Sequence, residues 1–119
     1  MMLPRLVTRV WVSALVRRCN VQGVAATVIR HGYDEAGAVL LLARHRNGQC
    51  QLFGATQQGI GQQDGGQRAW LPLTGREPVS EADAEEIIAK QKRFDPDLWV
   101  VEIETDRPQD FLDEIVLTQ

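Results

Sequence analysis

Three carboxylates, Glu102, Glu104 and Asp106, occupy every second position in the stretch DPDLWVVEIETD (95–106). Alternate side chains of a strand share a face. This spacing therefore stacks three oxygen donors in a row, a set able to hold magnesium or manganese for metal-assisted hydrolysis of a phosphodiester. The same alternation also describes the wet face of a half-buried strand, with Trp99, Val101 and Ile103 turned inward and the acids outward. On that reading Glu102 is free to pair with an arginine. The Pro96-Asp97 dipeptide resembles the opening of a PD-(D/E)xK nuclease signature, but the gap to Glu102 is too short and Glu102-Ile103-Glu104 lacks the lysine.

A second set depends on a turn. Asn47-Gly48 is a strong signal for a two-residue type I′ hairpin, because both central residues of that turn need positive φ. It predicts Arg46 opposite Gln49, His45 opposite Cys50, Ala43 opposite Leu52 and Leu42 opposite Phe53. An imidazole beside a thiol can generate the thiolate of a cysteine nucleophile. No Asp or Asn stands nearby to orient His45, and a cysteine on a core face packs as a small hydrophobe. A third set is cationic: Arg17, Arg18, Arg30, Arg44 and Arg46. If the first helix packs near the end of the hairpin, these guanidinium groups converge on a phosphate or carboxylate. Solvation, or pairing with acids of the same chain, is the competing reading. His31 reads as a loop-edge residue, and Trp11, Trp70 and Trp99 as core or interface anchors.

The elements that position these residues follow from periodicity. Val7, Trp11, Ala14, Leu15 and Cys19 recur at helical spacing behind Thr8 as cap, with Arg9, Ser13 and Arg17 elsewhere on the wheel and Gly23 as the stop. VAATVIRH, AVLLLARHR and QCQLFGA read as a three-stranded meander. One face carries Val24, Ala26, Val28, Val39, Leu41, Ala43 and Leu52, and the other Ile29, Leu40, Leu42 and Phe53. Both faces are apolar, so another part of the chain or a second copy must cover the second. Residues 54–67 hold five Gly and five Gln and read as a flexible loop. A phosphate-loop reading fails there, because Asp64 stands where GxGxxG requires glycine and no GK[ST] follows. RAWLPLTGREPV is a short apolar segment ended by Pro72 and a turn at Gly75. Ser80 with Asp83 resembles a capping box for a second helix, whose inner edge is Ala84, Ile87, Ile88 and Gln91 and whose stop is Asp95-Pro96. DLWVVEIETD is a fourth strand, and the tail after it docks through Phe111, Leu112 and Ile115. The fold class is a small α+β domain with a mostly antiparallel sheet: a three-stranded meander plus a fourth strand, two helices and a short C-terminal tail.

Totals narrow the function classes. The 119 residues suit one domain. Residues 1–50 carry seven Arg and no Lys against Asp34 and Glu35 (+5), and the remainder six basic against fourteen acidic residues (−8), which together give the net −3. Such a split can steer partners or dock the halves on each other. It lacks the basic excess with interleaved aromatics of a nucleic-acid binder. Cys19 and Cys50 are too few for a disulfide framework and have no zinc spacing, which fits free thiols in a reducing cytoplasm. The apolar run from Val10 to Val16 is too short to span a bilayer.

Pro4-Arg5-Leu6, WVSALVRR (11–18), AGAVLL (36–41) and above all FDPDLWVVEIE (94–104) resemble an alphaproteobacterial family of short proteins known as domain of unknown function 1491. The resemblance implies a compact bacterial domain and brings no activity, cofactor or catalytic residues. The first expectation is a non-catalytic binding or protein-interaction module, cytoplasmic and homodimeric. It needs no cofactor and takes a protein partner or an anionic ligand through the arginine-rich end or the second apolar sheet face. A metal-assisted hydrolase or nuclease using Glu102, Glu104 and Asp106 is the alternative, and nucleic-acid binding through the arginine-rich half is a third.

Overall fold

Two helices cover opposite faces of one mixed sheet, and side-chain alternation along the strands decides which residues meet which helix. The structure, a computed structural model, describes residues 7–55, 69–112 and 114–115. In chain order the elements are α1 (Thr8–Val21), β1 (Ala26–Arg30), β2 (Val39–Arg44), β3 (Cys50–Ala55), β4 (Ala69–Pro72), α2 (Glu81–Phe94) and β5 (Trp99–Glu104). A 3-10 turn (Pro108–Asp110) and a two-residue strand β6 (Glu114–Ile115) follow.

The ends of α2 match their sequence signals. Ser80 Oγ accepts the Asp83 N–H at 3.1 Å, acids occupy the first turn, and Lys92 and Arg93 the last, each sign matching the helix dipole. Helix α1 is capped differently from the expectation. Val7 precedes its first turn without a side-chain cap, while the Thr8 hydroxyl donates to the Gly37 carbonyl at 3.4 Å and ties the helix to the segment before β2.

The expected meander does not form. Strand order is β1-β5-β2-β3-β4-β6. β5 lies between β1 and β2, antiparallel to the first and parallel to the second. The sheet is therefore mixed, with five strands and the appended β6, rather than a mostly antiparallel sheet of four. The physical reason lies in composition: Trp99, Val100, Val101 and Ile103 are all buried, and a strand apolar on both faces belongs in the middle of a covered sheet. β1, exposed at Thr27, Val28 and Ile29, takes the edge. β4, not assigned from sequence, pairs antiparallel with β3.

The β2–β3 hairpin forms, but in another register. The His45 N–H donates to the Gln49 carbonyl at 2.8 Å and the Gly48 N–H to the His45 carbonyl at 2.9 Å, leaving a three-residue loop, Arg46-Asn47-Gly48. Gly48 has φ +90°, and no described non-glycine residue has positive φ. A turn followed by one left-handed glycine is the three-residue alternative to the type I′ hairpin. Asn47 Oδ1 accepts the Gln49 N–H at 2.9 Å, holding the side chain to its own turn. Arg44 thus pairs with Cys50, Ala43 with Gln51 and Leu42 with Leu52. This slip of one residue exchanges the two faces of β3: Phe53 joins the α1 side, and Leu52 and Cys50 the α2 side.

On the α1 side, Trp11, Val12, Leu15 and Cys19 pack on Val39, Leu41, Phe53, Trp70, Val101 and Ile103. On the other side, Ala84, Ile87 and Ile88 of α2 lie over Leu40, Leu42, Leu52 and Val100. The second apolar face is thus covered by this chain, and a homodimer through it has lost its surface. Phe111 and Leu112 dock into the core as the tail was expected to do. Gly54 and Ala55, where the strand QCQLFGA and the Gly/Gln-rich loop overlap, belong to β3 as the strand reading has them. The rest of that loop lies outside the described residues.

Candidate functional site

The carboxylate row and the arginine group meet in one ion pair, Arg44 with Glu102. Glu102 stands on the α2 face of β5 with its side chain 19% exposed, and Arg44, on the neighbouring parallel strand, donates from Nε to Glu102 Oε2 at 2.9 Å. Arg44 Nη2 lies 3.5 Å from Glu81 Oε2 at the start of α2. The Glu102 hydrogen bond, opposed by burial, holds the Arg44 guanidinium above its ordinary value. A candidate metal ligand and a candidate anion binder are therefore partners. Asp106 Oδ1 accepts the Arg46 backbone N–H at 2.8 Å and lies 3.6 Å from His45 Nδ1. Glu104 is exposed at the end of the strand. Among the described residues, no three or more His, Cys, Asp or Glu are grouped to hold a metal ion.

The register slip also separates the thiol from the imidazole. His45 Nε2 shares a 2.7 Å hydrogen bond with Gln51 Oε1, not with Cys50. Cys50 is fully buried on the α2 face, and burial pushes its thiol above the ordinary value against the opposing charge of Arg44. Cys19, buried under α1, is raised for the same first reason. A raised, inaccessible thiol is a poor nucleophile.

The five arginines do not share a site. Arg18 donates to the Phe111 carbonyl at 2.8 Å, and Arg30 to the Pro96 carbonyl at 2.7 Å. Arg30 stands beside Val100 and Arg44 beside Glu104, four residues apart on β5, or about 13 Å at strand rise. Arg46 lies in the hairpin loop. A polar cleft of about 430 Å³ runs between this loop and Glu104–Asp106, but most of its charged groups already have partners within the chain.

Arg17 belongs instead to a surface that the sequence did not single out. A groove of about 580 Å³ runs between α1 and edge strand β1, within the size range of small-ligand sites. Exposed Val28 and half-buried Val16 line it above the buried Val12 and Trp99, and the exposed Arg9 and Arg17 are among its other lining residues. Among the described residues neither guanidinium has an ion-pair partner. One end is rigidly built. The Trp99 indole N–H donates to the Tyr33 carbonyl at 2.8 Å, and the His31 ring lies 4.1 Å from the indole. His31 Nε2 is 2.6 Å from Asp34 Oδ1. Gly32 passes so close behind that a Cβ there would overlap the Asp97 carbonyl oxygen and stand 2.5 Å from Trp99 Cδ1. The residues missed were Arg9, Val12, Val16 and Val28. Their signal was the Arg9-Ser13-Arg17 stripe at four-residue spacing beside Val12 and Val16; the strand it faces was not readable.

The family model described as "Protein of unknown function (DUF1491)" matches residues 6–113. The chain belongs to this family. The DUF1491 assignment agrees with three solved structures. A crystal structure of a DUF1491 family protein from Caulobacter crescentus has a TM-score of 0.73 at 34% identity, covering 95% of this chain and 99% of that one. An NMR structure of a DUF1491 family protein from the same organism gives 0.74 at 36%, covering 95% and 98%. A solution structure from A. tumefaciens gives 0.78 at 33%, covering 98% of both chains. No curated protein matches. DUF1491 membership thus brings a shared fold, while the family's description names no activity. No helix among the described residues is long and apolar enough to cross a membrane.

Proposed function

We propose that this DUF1491 chain is a non-catalytic binding module and that its binding surface is the groove between α1 and β1. The observation carrying this reading is the conjunction of a groove lined by Val16 and Val28 with the guanidinium groups of Arg9 and Arg17, which have no ion-pair partner among the described residues. Elsewhere the reactive side chains mostly satisfy one another: Arg44 with Glu102, Asp106 with the Arg46 amide, His45 with Gln51. A surface with apolar area and unspent positive charge favours a ligand that is apolar in the middle and anionic at its ends.

The test titrates the full chain with 8-anilinonaphthalene-1-sulfonate, an aromatic anion of suitable character, while amide and side-chain NMR signals are followed. Shifts concentrated at Val12, Val16, Val28 and the Trp99 indole, weakened by Arg9→Glu with Arg17→Glu, support the reading. Absence of binding, or shifts centred on the Arg44–Asp106 cleft, overturns it. A parallel melting series with magnesium, manganese and calcium is expected to leave Tm unchanged. A rise abolished by Glu102→Gln with Glu104→Gln would restore the hydrolase alternative.

A further inference from the structure

The groove has an open sheet edge as one wall. Among the described residues β1 pairs only with β5. The Glu104 N–H donates to the Ala25 carbonyl at 3.0 Å, and Ala26, Thr27 and Val28 continue the ladder against Ile103, Glu102 and Val101. In an antiparallel ladder, alternate residues turn both backbone groups to the same neighbour. Ala25 and Thr27 therefore face β5, and Ala26 and Val28 present their N–H and C=O to the free edge. Natural edges are guarded by proline, charge or a bulge. Here no proline or charge interrupts Ala26–Ile29, and the bulge comes only after Val28.

An exposed edge beside a helix is the geometry in which an extended peptide adds as a strand: main-chain bonds hold it and alternate side chains enter the groove. We infer that β1 receives an acidic, extended segment of another protein by strand addition, its α1-facing side chains lying in the groove between Arg9 and Arg17. This rests on the binding-module reading above and adds the class of partner.

Charge and spacing select that partner. The first turn of α1 has no acid, and Arg9 and Arg17 stand on the groove. They are eight helical residues apart, or about 12 Å at a rise of about 1.5 Å per residue. Positions i and i+4 of an added strand share a face about 13 Å apart. The fitting segment has acids at i and i+4 and an apolar residue at i+2, above Val12, Val16 and Val28. A second copy on this edge would bring two basic rims together across a two-fold axis. A nucleic acid would find only these two cations beside apolar Val16 and Val28.

The experiment uses the full chain and the synthetic peptide Thr-Glu-Thr-Val-Thr-Glu-Thr. Expected are changes at Arg9 and Arg17, hydrogen exchange at Ala26 and Val28 slowed about tenfold or more by the bound peptide, and loss of binding when alternate peptide amides are N-methylated. Arg9→Glu with Arg17→Glu should weaken the peptide about tenfold and transfer preference to the Lys-for-Glu peptide, which a folding defect would not do. Changes at the arginines without protection of Ala26 and Val28 overturn strand addition while leaving the groove as a binding surface. If the anilinonaphthalene probe binds and the peptide does not, the partner class alone falls; if neither binds, both readings fall. Concentration-dependent dimerisation with protection of Ala26 and Val28 in the free chain assigns the edge to a second copy and overturns the inference. Tighter binding of single-stranded oligonucleotide than of peptide does so as well.

Discussion

Glu102 looked like a metal ligand by spacing and Arg44 like an anion binder by charge, and each proves to be the other's counterion. Both side chains keep some contact with water, 19% and 28% exposed. Removing Arg44 leaves a poorly solvated carboxylate without its main donor, so Arg44→Met should destabilise the fold by about 1–2 kcal/mol. The double variant Arg44→Met with Glu102→Leu should lose less than the sum of the single changes, a non-additivity that urea denaturation can measure. The two thiols make a second prediction. Cys19 and Cys50 are raised from the ordinary 9.0, by burial first in each case. A folded-state value above the unfolded one means that the unfolded chain gives up its protons first as pH rises. The stabilisation is thus complete below about pH 9 and declines above it as the folded-state values are approached. Chemical denaturation across that range should show the decline, and a double Cys→Ala variant should lack that component. The Arg44–Glu102 pair was visible in the sequence as a possibility only, because its partners are 58 residues apart.

At the scale of elements, both helices were legible, since helical contacts are local, but only α2 takes the cap its sequence signals; Thr8, expected to cap α1, bonds the Gly37 carbonyl instead. The hairpin was legible too, but its register was not. Asn47-Gly48 suits the two-residue turn, and the three-residue loop with only Gly48 left-handed prevails. Substitution can tell the turns apart. If Asn47 were left-handed, Asn47→Gly would relieve strain and stabilise. In the observed turn it removes the bond from the Gln49 amide and adds backbone freedom to the unfolded chain, so Asn47→Gly should destabilise by about 1 kcal/mol. Gly48→Ala should cost about 1 kcal/mol or more through φ alone, since no atom lies within 4 Å of its added methyl. Thermal melts of both variants provide the check. This small slip moved Cys50 away from His45 and dissolved the catalytic candidate.

Across the whole molecule, the insertion of β5 between β1 and β2 sets what is exposed. It gives the apolar residues of β5 a strand on each side, accompanies the cover that α2 gives Leu40, Leu42 and Leu52, and leaves β1 at the rim beside α1. Hydrogen exchange should reflect this order. Amides of β2 and β5 are expected to be the slowest, exchanging about a hundredfold or more slowly than the outward amides of Ala26 and Val28 in the free chain. Equal protection of β1 and β5 would mean that the edge is already occupied. The same arrangement disperses the arginines: Arg18 and Arg30 cap carbonyls, Arg44 faces α2, and only Arg17 joins Arg9 on the open groove.

The sequence by itself determined the α+β class, both helices, the ends of α2, the inward face of β5 and the hairpin between β2 and β3. Each is written in local periodicity, capping chemistry or alternation within one segment. Only the tertiary structure decided the strand order, the face of every β3 residue, the counterion of Glu102 and the wall of the groove opposite α1. Those depend on which distant segments burial brings together, and a shift of one residue or one strand position changes them while leaving local signals unaltered.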